Sequence, residues 1–423
     1  MVKKVVQLKE YGNFVNVKNS LLSARDVDDI NVKWKNMLNL PQLPFIYRQD
    51  SESLKIRAVG VTGIIQIGSV DFEIIPKFLD EYQPEWRSAF WNILLLGSAS
   101  PFDSKLTNAS SGRDTNFADY IAEMFIDSFY KGSVRGLPRS YRKISKSGFT
   151  LRGSLDASRY ANFVVTPWEI PYLSDELSED TDLTRLLRWA AIKLEKLVGN
   201  SSTKRTLRSI SSDLSHVSNR APHIIDARRI RLGSQHQGLK KAKDIGIILL
   251  ESSGLAHLNG DYKLPGFLWN SNVVYENFIY NICSSAAVSQ KYSISKREYR
   301  FASVIRGIGK ELVTIPDVVF KDDQNNTIAV VDAKYKKFIS DGKPTPADTY
   351  QMITAAHVLG CQHISLIYPV SKNTETTTWK VSSKLSDKSI HLSAIFINLM
   401  ELSTENGKKK LVDSIINWLN AIY

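Results

Sequence analysis

The chain has 423 residues, long for a single core, so two or three domains are expected. Its 43% hydrophobic and 23% charged residues are ordinary for a globular protein and exclude wholesale disorder. Lysine and arginine total 55 against 43 aspartate and glutamate, a net charge of +12. That excess favours polyanionic partners through counterion release, with a merely solvated basic surface as the equal alternative on charge alone.

Only Cys283 and Cys361 are present, far apart and without a Cys-x-x-Cys pair. This excludes a disulfide scaffold, argues against a zinc knuckle and fits a reducing cytoplasm. Lys3, Lys4, Lys9 and Glu10 interrupt the amino terminus where a signal peptide needs an apolar run. The longest apolar run, Ile245 to Leu250, is too short to span a bilayer. The expectation is a soluble cytoplasmic protein without membrane contact.

Residues 1–80 read as mixed and β-rich, with Gly63 to Gly68 and Phe72 to Lys77 as strands and Gly68-Ser69-Val70-Asp71 as a tight turn. Helical spacing follows over Trp86 to Leu96 and Phe117 to Tyr130. The stretch 131–160 is basic, carrying Lys131, Arg135, Arg139, Arg142, Lys143, Lys146, Arg152 and Arg159 against one acid, Asp156. Leu183 to Val198 is an amphipathic helix, and a second basic stretch covers 204–243. Leu264-Pro265-Gly266 marks a boundary, after which a helix spans about Asn272 to Ser284. Strands are then predicted over Tyr299 to Val304, Leu312 to Phe320 and Thr327 to Tyr335, a helix over Ala347 to Leu359, and a strand over His363 to Pro369.

The fold class is therefore α/β, α+β overall. An amino-terminal mixed β-rich domain spans 1–165, a helical basic segment 166–262 and a carboxy-terminal α/β domain 263–423.

The chemistry concentrates in Ile315-Pro316-Asp317-Val318-Val319-Phe320 and Ile328-Ala329-Val330-Val331-Asp332-Ala333-Lys334. The polar turn-former Lys321 to Asn326 joins them, and a hairpin symmetric about Gln324 and Asn325 sets Asp317 opposite Asp332. Cross-strand partners have Cβ atoms roughly 4.5–5.5 Å apart, so two such carboxylates repel unless a cation lies between them. Hard oxygen ligands and water suit Mg²⁺. Strand alternation puts Lys334 on the Asp332 face, about 6.6 Å along, where an ammonium orients or deprotonates a metal-bound water, or stabilises a pentavalent phosphate. A solvent-facing hairpin with an Asp–Lys surface pair is the bland alternative. The buried character of Ile328 to Val331 favours a site.

Pro316-Asp317 with Asp332-Ala333-Lys334 resembles the PD-(D/E)xK nuclease signature, and more of the chain resembles the McrC family, the nuclease subunit of McrBC-type, 5-methylcytosine-specific restriction systems. Phe72 to Lys77 is similar to that family's amino-terminal hydrophobic-x-Pro-Lys landmark. Gly136 to Tyr141 and Leu151 to Asp156 are similar to its middle block. Tyr275-Glu276-Asn277-Phe278 and Asp348-Thr349-Tyr350-Gln351-Met352 are similar to the helices flanking its catalytic strand. The resemblance implies a restriction-endonuclease-like carboxy-terminal domain. Its catalytic set would be Asp317, Asp332, Lys334, Glu276 and Gln351, with Mg²⁺ held by Asp317, Asp332 and Glu276. It also implies double-stranded DNA as substrate, a hexameric McrB-like AAA+ GTPase as partner and an amino-terminal partner-binding domain.

Two departures stand out. Related nucleases carry a Gln-x-x-x-Tyr pair, whereas Ala355 is the fourth residue after Gln351 and leaves Tyr350 as the substitute. Thr184 precedes Arg185 where the family suggests Asn. On its own residues Glu276 is equally a surface carboxylate. His357 and His363 are too far apart for a helical zinc pair, and Gly307-Ile308-Gly309-Lys310 lacks the glycine and Ser/Thr of a phosphate loop. Without a nucleotide-hydrolysing motif, motor work falls to a partner. The basic stretches serve either DNA or docking, with DNA favoured for the second. Competing functions are a motor-free repair or recombination nuclease and a catalytically silent adaptor of an AAA+ partner.

Overall fold

The computed structural model describes residues 5–83, 85–97, 116–159, 168–252, 266–303, 310–338, 342–383, 386–404 and 406–422. The glycines at 307–309, the Val304 end of one predicted strand and the Leu264-Pro265 boundary lie outside these residues. Among the described residues no helix is long and apolar enough to cross a membrane.

Helices and several sheets make up a mixed α/β chain, divided into two compact units. One joins Met1–Phe117 with Leu264–Tyr423, and the other is Ala118–Lys263. Several long-range contacts join the two segments of the first unit, among them helix Trp86–Gly97 against Ser271–Ser289 and Leu399–Ser403, and one strand pairing. The strand Gly266–Asn270 lies antiparallel on Val61–Ile67, and its Leu268 enters the same core as Ile65, Phe72 and Trp34.

In the first unit the amino-terminal sheet runs in the order Val5–Lys9, Val70–Ile75, Val61–Ile67, Gly266–Asn270. Its hairpin turns where expected, at Gly68, whose φ of 58° suits a residue without a side chain. Helix Ala24–Met37 starts with a capping box between Ser23 and Asp26 and buries Val27, Asn31 and Trp34. Asn31 then clips it to the neighbouring strand, donating to Phe45 O at 2.8 Å and accepting from Phe45 N at 2.9 Å.

The same unit holds a six-stranded sheet in the order Ser293–Ser295, Val318–Lys321, Thr327–Ala333, His363–Val370, Ser386–Asn398, Thr377–Ser383. The three strands Thr327–Ala333, His363–Val370 and Ser386–Asn398 are parallel, and the others antiparallel. Helix Pro346–Leu359 covers one face, its Met352, Ala355 and Ala356 packing with Val330, Ile364, Leu366 and Leu392. The predicted strand Leu312 to Phe320 is two strands. Leu312–Thr314 pairs with Tyr299–Ala302, and Val318–Lys321 joins the large sheet. Pro316, which has no N–H to give a ladder, lies in the break.

In the second unit Ser140–Gly148 pairs along its whole length with Ile170–Ser178, so residues on both sides of position 165 share a sheet. The pairing compensates the first basic stretch. Arg139 binds Glu179, Arg142 binds Asp180 and Lys146 binds Glu176. Arg185 forks onto Asp180 at 2.6 and 2.7 Å, beside Thr184, which completes the cap of helix Asp182–Leu197 with Thr181. In the second stretch Arg208 pairs with Glu195 and Arg228 with Glu251.

Candidate active site

The hairpin register pairs Val318 with Val331, Val319 with Val330 and Phe320 with Ala329, which carries Asp317 and Asp332 to facing positions just beyond the last pair. An irregularity between Phe320 and Lys321 is confined to the turn side and leaves this end in register. Asp317 is not itself in the strand. Its Oδ2 accepts the Ala333 N–H at 2.9 Å, and its Oδ1 meets Lys296 Nζ at 3.0 Å.

Along Thr327–Ala333 the face that carries Val330 into the core continues through Asp332 to Lys334. Asp332 is 4% exposed. Its Oδ2 is paired with Lys334 Nζ, while Lys334 also donates to Gln351 Oε1 at 2.9 Å and Gln351 Nε2 donates to Asp332 Oδ1 at 3.4 Å. Gln351 reaches both because its helix is tightly started: Thr345 caps it by accepting the Asp348 N–H, Pro346 opens it, and the Thr345 hydroxyl donates in turn to the Asp348 carboxylate. The helix stops at Gly360 in the left-handed region, φ 63°.

Burial, with Asp317 and Glu276 adding repulsion against the offsetting pull of Lys334, raises the Asp332 carboxyl to about 6. Burial and Asp317 also raise Glu276. Burial opposes the charge on Lys334, but Asp332, Asp348 and Asp317 outweigh it and hold the ammonium protonated above its ordinary range.

Glu276, on helix Ser271–Ser289, does not meet Asp332. It faces Lys296 at 3.5 Å, so Lys296 lies between Glu276 and Asp317. Among the described residues no three His, Cys, Asp or Glu side chains stand together as a metal cage. Tyr350, the candidate substitute for the missing tyrosine, is 68% exposed.

Two residues at the site escaped the sequence reading. Lys296 follows an edge strand and has no motif around it. Asp348 binds Lys336 at 2.5 Å and lies 3.6 Å from Lys334. Its signal was the Thr-x-x-Asp capping pattern, which announces a helix start and nothing chemical.

Residues 56–369 match the family described as McrBC 5-methylcytosine restriction system component. The chain belongs to this family. All five candidate residues of this McrBC-family chain fall inside the matched span. No curated protein matches it. Among solved structures it is similar to a chain of the refined half-complex from a tetradecameric assembly of Thermococcus gammatolerans McrB AAA+ hexamers with bound McrC. That match has a TM-score of 0.63 and 15% identity over 98% of this chain and 100% of the other. It also matches a chain of the cryo-EM structure of the Thermococcus gammatolerans McrBC complex, with TM-score 0.45 and 16% identity over 67% of this chain and 88% of the other. At such identities the first match is a likeness of fold, and the second supports no argument.

Proposed function

We propose that this chain is the DNA-cutting subunit of a McrBC-like restriction system, a magnesium-dependent endonuclease coupled to an AAA+ GTPase ring whose hydrolysis it stimulates. The observation that carries the reading is the meeting of Asp317, Asp332 and Lys334 at the open end of one hairpin. Asp317 and Asp332 would hold Mg²⁺, with Glu276 as a third oxygen donor once Lys296 moves. Two carboxylates completed by water and a substrate phosphate are a ligand set this ion accepts. The residues fit: a carboxyl that is buried, crowded by Asp317 and raised to about 6 is one that a nearby cation relieves. When bound, the ion supplies a Lewis acid and an acidified water.

The chain's own residues do the rest. Lys334, kept protonated by Asp332 and Asp348, donates to a phosphate oxygen and offsets charge building at the phosphorus. Gln351 bonds both members of the pair and fixes their mutual orientation. Asp317, held by the Ala333 amide, keeps one oxygen turned to the site.

The AAA+ partner is extended to this chain from the solved assembly of McrB AAA+ hexamers with bound McrC, and GTP from the family resemblance. Double-stranded DNA as substrate is supported by the +12 net charge. The test incubates the full chain with methylated and unmethylated plasmid and Mg²⁺, alone and with a McrB-type partner and GTP, beside Asp332→Ala. Cutting that needs metal, partner and nucleotide and is lost in the variant supports the reading. Cutting without a partner turns it toward a free-standing repair nuclease. A rise in GTP hydrolysis with no cutting in any mixture turns it toward a silent adaptor.

A further inference from the structure

The segment Ile74-Ile75-Pro76-Lys77 ends in a half-buried lysine. Lys77 Nζ donates to the backbone carbonyl of Tyr335 at 2.8 Å. Three aromatic rings surround the ammonium, those of Tyr335, Tyr11 and Phe78, at 4.2, 4.6 and 5.2 Å from their centroids. Behind it lies Glu10, 1% exposed, whose Oε2 accepts from the Tyr335 hydroxyl at 2.7 Å and from the Lys77 amide at 3.2 Å. Tyr335 packs further against Phe78 and Tyr275 at 5.1 and 5.4 Å.

The position of this cluster matters more than its composition. Tyr335 follows Lys334, and the strand bearing Asp332 ends at Ala333. Lys334 N still reaches Ile367 O at 2.9 Å, but beyond it the chain turns at once, Lys336 N bonding back to Lys334 O at 2.7 Å. The ladder therefore stops where the site needs a fixed backbone. A cation–carbonyl bond inside an aromatic cage is stronger than the same bond in water, because neither partner is fully hydrated.

We propose that Lys77 is a positioning residue of the cleavage reaction: by holding the Tyr335 carbonyl it fixes the direction in which Lys334 leaves the strand. The proposal rests on the nuclease reading above. The adjacency of Lys334 and Tyr335 in the chain gives it a mechanical basis. Lys334 bonds Asp332 and Gln351 at the site, while its neighbour Tyr335 is held by Glu10, Phe78 and Tyr275 of the same unit, so clamping one residue orients the other. Lys77 touches neither metal ligand nor nucleophile, and its effect is on geometry. A displacement of about 1 Å at a reacting group costs on the order of 100-fold in rate.

The experiment compares the full chain with Lys77→Met and Lys77→Arg, in the presence of the partner, GTP and Mg²⁺. It measures single-turnover cutting of duplex DNA, DNA affinity, melting temperature, and amide hydrogen exchange over residues 331–338. The expected result for Lys77→Met is a rate lower by about 100-fold. DNA affinity should be unchanged, and exchange should be faster only around Ala333 to Lys336. Lys77→Arg, which keeps a cationic donor, should recover part of both. Wild-type cutting by Lys77→Met overturns the proposal whether or not exchange changes, as does a loss confined to DNA affinity. If even the wild-type chain cuts nothing while exchange responds as expected, the nuclease reading has failed and the contact is an anchor without a catalytic role.

Discussion

The Asp317 carboxylate accepts the amide of Ala333, the residue between Asp332 and Lys334, so the backbone of the second strand sets the aim of the side chain just before the first. This separates two things that a mutation at Asp317 would otherwise confound. Asp317→Asn keeps an oxygen to accept the amide but removes the charge, whereas Asp317→Ala removes both. The Asn variant should melt within a few degrees of the wild type, yet cut DNA more slowly by at least about 100-fold. The Ala variant should lose cutting and also about 1–3 kcal/mol of stability, from the orphaned amide. Thermal melts and single-turnover assays on the pair distinguish the two effects. Equal cutting by Asp317→Asn would remove this carboxylate from the reaction.

Lys296 occupies the space between Glu276 and Asp317 where an added cation would meet both carboxylates. A unit charge roughly 4 Å away is worth at least about 1 kcal/mol even in water, so Lys296→Met should tighten Mn²⁺ binding by about fivefold or more. Titration calorimetry without DNA reads this directly. Unchanged affinity would mean that the ion does not approach Glu276 at all.

Asp244, on helix Lys240–Ser252, is buried with neither oxygen hydrogen-bonded, and Lys243 Nζ is 3.6 Å away. Burial, only partly offset by Lys243 and Lys240, raises its carboxyl to about 6. The folded state therefore holds this proton more tightly than the unfolded chain does. Its contribution is most favourable below about pH 4 and is lost as pH rises through about 6. Asp244→Asn should stabilise the protein at pH 7.5, by roughly 1–3 kcal/mol, and change little at pH 4. Denaturant melts at the two values check the sign, and destabilisation at both would show that the carboxylate has a partner in solution.

Gly63 adopts φ 130°, and a Cβ there would lie 2.2 Å from Phe267 O. The contact is backbone, so no side-chain rearrangement relieves it. Gly63→Ala should cost more than about 3 kcal/mol by prising Gly266–Asn270 from Val61–Ile67. A melting temperature close to that of the wild type would show the two strands able to separate without penalty.

The hairpin was legible because its determinants are local: a polar turn, two apolar runs and a register countable from the centre. Helix Pro346–Leu359 was legible to within a residue for the same reason, its cap and terminal glycine being next to it in the chain. Lys296 was not, since nothing in Ser295-Lys296-Arg297 shows that folding brings it to Asp317, twenty-one positions on. For the basic stretch at 131–160, expected to serve DNA or docking, the sequence did not show the internal pairing, because its partners Glu176, Glu179 and Asp180 lie on or just after the strand Ile170–Ser178, outside the stretch. The carboxy-terminal strands Thr377–Ser383 and Ser386–Asn398 were missed altogether, their polar outer residues masking the alternation.

The pairing of Val61–Ile67 with Gly266–Asn270 also sets a schedule for synthesis. At roughly 5–20 residues per second, a ribosome needs on the order of 10–40 s to make the roughly 200 residues that separate the two strands. Throughout that interval the earlier strand, already hydrogen-bonded to Val70–Ile75 on one side, has a bare apolar edge on the other. Such an edge recruits any extended segment that reaches it. The nascent amino-terminal sheet is therefore the stage at which this chain is most exposed to misassociation, and a chaperone that shields it should raise the yield of folded protein more than one acting after release.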